Sequence, residues 1–73
     1  MPLVQIKVLE GVFSASQKRL IVEGVTEALV AVEGESMRAI TWVIVDEVAS
    51  GDWGVGGRAL TTEAVKAMAA VTA

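Results

Sequence analysis

Few residues in this chain can do chemistry, and Pro2 has the least ordinary potential among them. Removal of Met1, usual before a small second residue, would change the Pro2 nitrogen from an amide into a free secondary amine. Such an amine is a base. In an apolar pocket with cations nearby, its neutral form is favoured, and it can then take and return protons near neutral pH. Other routes close quickly. The chain has no histidine and no cysteine, so it has no base for a serine nucleophile, no thiolate, and no nitrogen or sulfur ligand for zinc. Asp46 and Glu47 are adjacent, so on a strand they point to opposite faces and read as a solvated edge. Glu10, Glu33, Glu35 and Asp52 fall near turn signals and read as surface charges, with acid–base pairs of carboxylates across subunits left open. The glycine run Gly54-Val55-Gly56-Gly57 lacks the Gly-Lys-Ser/Thr ending of a phosphate loop and reads as a tight hairpin.

The elements that must position Pro2 are legible in outline. Leu3 to Leu9 alternates, with Val4, Ile6 and Val8 on one face and Leu3, Gln5, Lys7 and Leu9 on the other, which predicts a strand. Ser14 and Gln17 have capping-box spacing and predict a helix start. Apolar Ile21, Val25, Ala28, Leu29 and Val32 then form a stripe, with Lys18, Glu23 and Glu27 mostly opposite. Gly34 is the expected stop, in a left-handed cap. The β-branched run from Ala39 to Val48 predicts a second strand, and a helical crossover of this length implies that the two strands are parallel. Ser50 to Gly57 predicts a hairpin that packs Trp53 and Val55, and Thr61 to Val71 a short helix.

The 73 residues make a single domain, 1–73, of α/β class, a short βαβ unit with a C-terminal hairpin. Its composition is 53% apolar and 21% charged. That exceeds the roughly 45–50% apolar content of ordinary soluble domains. With no disulfide to staple so small a core, the surplus is expected to be buried against copies of the same chain, the sheet being completed by dimerisation. No run is long enough to span a membrane and no signal peptide is evident, so the expected location is cytoplasmic. The net charge of −3 and the scattered basic residues Lys7, Lys18, Arg19, Arg38, Arg58 and Lys66 argue against nucleic acid as a partner.

Taken together, Met1-Pro2, the strand ending Leu9-Glu10-Gly11, the Ser14-to-Gln17-Lys18 helix start, Asp46-Glu47-Val48 and Trp53-Gly54-Val55-Gly56-Gly57 resemble the 4-oxalocrotonate tautomerase family over nearly the whole chain. The resemblance implies a homohexamer, a trimer of dimers with active sites at subunit boundaries. It implies a cofactor-independent isomerase in which the N-terminal proline moves a proton on a small enol or 2-oxo acid. Pro2 would be the catalytic residue and Trp53 a wall of its pocket, with backbone amides near Leu9 helping to bind substrate. No cofactor and no metal are implied.

The chain departs from the pattern where it matters chemically. Family members carry one arginine just after the Leu-Glu-Gly turn and another near the start of the second strand. Here these positions hold Val12 or Phe13, and Trp42. An indole cannot replace a guanidinium in bidentate carboxylate recognition. The expected substrate is therefore a monoacid or aromatic enol rather than a dicarboxylate. Arg38 and Arg58 are candidate replacements, each also readable as a surface arginine, and Lys7 is a third cation that could approach the pocket or lie at a sheet edge. Trp42 shares the parity of Ile40 and Ile44, so it reads as interface packing or as pocket lining. A proline-dependent hydratase or dehalogenase, and a non-catalytic oligomeric protein, stay open as alternatives.

Overall fold

The computed structural model describes residues 2–72, and side chains as far as Ala70. The processing of Met1 lies outside the described residues. Strand β1 (Leu3–Leu9) leads to helix α1 (Ala15–Glu33), a 3-10 turn (Glu35–Ile40) and strand β2 (Trp42–Val48). A hairpin of β3 (Trp53–Val55) and β4 (Arg58–Leu60) follows, and then helix α2 (Thr62–Thr72). β1 and β2 are parallel, with Leu3 opposite Trp42 and Lys7 opposite Asp46, while β3 and β4 are antiparallel. This is the α/β arrangement expected from the sequence.

The capping box at the start of α1 is present. The Gln17 N–H donates to Ser14 Oγ and the Ser14 N–H to Gln17 Oε1, which satisfies two otherwise unpaired amides. The buried side of the helix matches the expected stripe in part. Ile21, Val25 and Leu29 of the expected stripe are half-buried, but Ala28 and Val32 are exposed, Val32 at 88%, and Val22 and Val30 are covered instead. Lys18 also lies on that side and pairs with Glu47 at 3.2 Å. Gly34 ends the helix with positive φ, but with φ 102° and ψ 154° rather than the left-handed helical geometry, its N–H donating to the Val30 carbonyl.

The second strand is shorter than the run Ala39 to Val48 suggests. Ala39 and Ile40 belong to the 3-10 turn. A continuous apolar run has no period that marks where a strand begins, and polar contacts set the boundary instead. The Thr41 hydroxyl contacts Glu33 and the Met37 carbonyl, and the Thr41 N–H donates to the Arg38 carbonyl. In the hairpin, Gly56 and Gly57 have φ of 59° and 84°. A two-residue turn of type I′, whose twist matches that of the strands, needs positive φ at both positions.

One face of the two-stranded sheet is covered by α1. The other carries Leu3 and Trp42, 54% and 53% exposed, beside Gln5, Ile44 and the Lys7–Asp46 pair. Among the described residues only Val8, Leu9 and Val30 form a buried apolar core. The accessible surface is 5093 Å2. A compact monomer of this mass has about 4,300 Å2. The radius of gyration is 14.9 Å, with extents of 42 × 25 × 20 Å. A compact chain of this length has a radius near 11 Å. The surplus surface follows from a βαβ unit that presents a bare sheet face and from a C-terminal hairpin and helix that extend from it.

Candidate active site

The chemistry-bearing residues fall into two groups at opposite ends of β1. Pro2 precedes the strand, half-buried, and its carbonyl accepts a hydrogen bond of 3.0 Å from the Trp42 N–H. That bond starts the parallel ladder and sets Trp42 beside Pro2. Leu9 ends the strand, 6% exposed. Seven residue steps at about 3.3 Å each place the two ends about 23 Å apart.

At the Leu9 end lies an apolar cavity of about 340 Å3, lined by Lys7, Val8, Leu9, Val12, Phe13, Trp53 and Val65. Three separate pieces of chain build it: the end of β1 with its following turn, the first residue of the hairpin, and α2. A polar junction holds them together. The buried Thr62 hydroxyl donates to the Glu10 carbonyl at 2.6 Å, and the Thr62 N–H donates to Ser50 Oγ at 2.9 Å. The Ser50 N–H in turn donates to Glu10 Oε1 at 3.2 Å. Gly11 completes the joint. It has φ of 79°, and a Cβ there would lie 3.1 Å from Thr62 Cγ2, so the turn needs glycine for both conformation and space. Thr61 caps α2 through its hydroxyl, which accepts from the Ala64 N–H at 3.1 Å.

The structure therefore brings Leu9 and Trp53 together in one cavity with Lys7, and leaves Pro2 and Trp42 outside it. Two amides near Leu9 are engaged within the fold: Glu10 N–H bonds to the Val48 carbonyl at 2.8 Å and Val12 N–H to the Leu9 carbonyl at 3.3 Å. Val12 and Phe13, at the positions where the resembled pattern has arginine, form cavity wall. Val65 of α2 joins that wall. The signal available was the weak helical period after Thr61, and placing that helix over Leu9 needs the Thr62–Glu10 contact.

Arg38 is tied down elsewhere. Its Nη1 and Nη2 form a bidentate pair with Glu27 at 2.8 and 2.9 Å, and its Nε lies 2.8 Å from Glu35 Oε1. Its hydrogen bonds hold the Glu27 and Glu35 carboxyls below the usual carboxylate range, and the same bonds raise the pKa of the guanidinium. Arg38 thus fixes the 3-10 turn to α1, with its donors spent on protein carboxylates. Arg58 pairs with Val55 across the hairpin and lines a different groove with Leu60, Ala64 and Met68. Lys7 remains the cation in the cavity wall, its Nζ 3.1 Å from Asp46 Oδ2.

The comparisons with known proteins agree with this architecture. Residues 2–63 match the family of tautomerase enzymes. The chain is 41% identical over 61 residues to a probable tautomerase of Dickeya dadantii, which covers 84% of this chain and 90% of that protein. It superposes on the crystal structure of DmpI from Helicobacter pylori with a TM-score of 0.70 and 34% identity, over 81% of this chain and 95% of that one. A 4-oxalocrotonate tautomerase isozyme from Methylibium petroleiphilum gives a TM-score of 0.71 and 31% identity, over 88% and 97% of the two chains. In extent of match, in identity and in fold, this chain belongs to the tautomerase family.

Proposed function

We propose that the chain is a cytoplasmic, cofactor-independent tautomerase in which Pro2 of one copy works in the cavity of another. The observation that carries this reading is the separation of Pro2 from the Leu9–Trp53 cavity along a single strand, about 23 Å at ordinary strand rise. A chain cannot close that distance within itself, but a second copy docked on the bare sheet face can bring its own N-terminus to the cavity. Leu3, Trp42 and Ile44, all exposed on that face, supply the apolar area for docking. A homohexamer of three dimers is the assembly proposed.

With Met1 removed, the neutral Pro2 amine takes the hydroxyl proton of an enol acid. The oxygen lone pair becomes a carbonyl π bond, the former C=C electron pair moves to carbon, and the prolinium proton is delivered there. The proton count is unchanged and no redox partner is needed. Apolar walls at Leu9, Val12, Phe13 and Trp53 disfavour the charged amine by excluding water, which keeps the base active at neutral pH.

A second reading is a non-catalytic oligomer, favoured by the engagement of Arg38 with Glu27 and Glu35. One experiment separates the two. Intact mass shows whether Met1 is lost, and the purified protein is then assayed with enol acids beside Pro2→Ala. The tautomerase reading expects loss of Met1 and a fall in kcat/KM of about 100- to 10,000-fold, the usual contribution of a general acid–base. Retained Met1, or a variant as active as wild type, overturns it.

A further inference from the structure

We infer that the cavity at the end of β1 selects a monocarboxylate with an aromatic or similarly flat apolar tail, and that Lys7 is the specificity-determining residue that holds its carboxylate. The inference rests on the tautomerase reading for the reaction, but its binding argument stands on the cavity alone. Six of the seven lining residues are apolar, and the seventh is Lys7. The cavity contains one cation, placed to take one carboxylate. A second carboxylate on the same ligand would have to sit among Val12, Phe13, Trp53 and Val65, with no charged donor to replace its water. Burial of an unpaired carboxylate is among the most unfavourable arrangements a protein can hold.

Asp46 strengthens the selection. It faces Lys7 across the parallel strands with 3.1 Å between Nζ and Oδ2, so the entrance has a neutral pair rather than a positive field. A ligand carboxylate replaces Asp46 as the partner of Lys7, whose flexible four-carbon stem lets the ammonium follow it. A dianion would bring a second like charge towards the displaced aspartate. Phe13 and Trp53 favour a flat ring by offset stacking, and about 340 Å3 lies at the small end of ligand pockets, enough for one ring with a short acid chain. For the proposed reaction the substrate class is thus a β-aryl enol monoacid.

The test uses the full-length assembled protein and two unreactive probes, 3-phenylpropanoate and hexanedioate, titrated by calorimetry at low and moderate salt. The aryl monoacid is expected to bind at least tenfold more tightly than the diacid. Lys7→Gln should weaken the monoacid about two- to fivefold, the scale of a partly exposed ion pair, and flatten its salt dependence without changing the melting temperature. Asp46→Asn, which releases Lys7, should tighten it. Phe13→Arg should shift preference towards the diacid. Equal or tighter binding of the diacid, or a Lys7→Gln variant that binds as wild type does, overturns the inference. Rates with the matching enols separate its failure from that of the reaction. Selective binding without turnover removes the tautomerase reading and leaves the selection standing. Turnover that favours an enol diacid does the reverse.

Discussion

The proposal that each site takes its proline from one copy and its cavity from another can be tested by mixing two inactive variants. One is Pro2→Ala, with an intact cavity. The other keeps Pro2 and carries Val12→Asp and Phe13→Asp, which place negative charge in the cavity wall against an acidic substrate. Each alone should have on the order of 1% of wild-type activity or less, from the loss of the base or of substrate binding. Because Pro2 and Leu9 sit at opposite ends of β1, a working site in a mixed oligomer pairs an intact Pro2 on one chain with an intact cavity on its neighbour. If chains assort at random in equal amounts, half the prolines and half the cavities are intact, so about one quarter of the sites are complete. The variants are unfolded together, refolded, and assayed with an enol acid at fixed total chain concentration, with native mass spectrometry to show that mixed oligomers formed. A return to about 25% of wild-type rate is expected. Mixed oligomers that stay at the level of the parents would mean that proline and cavity belong to the same chain, and the inter-copy site would have to be abandoned.

Further predictions concern the framework. Thr62→Val removes the 2.6 Å bond to the Glu10 carbonyl and leaves that oxygen in a closed joint. The expected loss of about 1–3 kcal/mol corresponds to a drop in melting temperature of roughly 5–20 °C at fixed chain concentration, and a shift under 2 °C would deny the joint its role. Gly11→Ala should destabilise through the same contact, because φ of 79° and a 3.1 Å approach to Thr62 Cγ2 oppose a side chain there. Ile44→Lys puts charge on the bare sheet face and should shift the protein to monomer in sedimentation, with activity lost in parallel. The Arg38 pairs give a pH signature. Since Glu27 and Glu35 are held below their ordinary value of 4.5, their contribution is complete above that pH and fades as pH falls through the lowered values. The melting-temperature difference between wild type and Arg38→Met should therefore be present at neutral pH and vanish in acid.

Much of the local structure could be read from residue order because short-range physics decides it. The alternation from Leu3 to Leu9, the Ser14–Gln17 capping box and the Gly56-Gly57 turn each satisfy backbone groups or bury one face within a few residues. The start of β2 was not legible, because Ala39 and Ile40 are as apolar as the strand they precede. Arg38, bound to Glu27 eleven positions earlier, holds that segment in a 3-10 turn. The same holds for the buried side of α1, where the choice of Val30 over Val32 depends on where the sheet lies.

Sequence alone determined the βαβ order, the presence of Pro2, and the absence of arginine at positions 12, 13 and 42. Those are matters of residue type and of spacing within one or two turns. Only the tertiary structure decided which of these residues share a site. It joined Lys7, Leu9, Val12, Phe13, Trp53 and Val65 through the Thr62–Glu10–Ser50 joint, and it spent Arg38 on two glutamates. The reason is geometric. Residues 7 and 65 meet because three segments fold onto one another, and a strand keeps its two ends apart however close their residue numbers are.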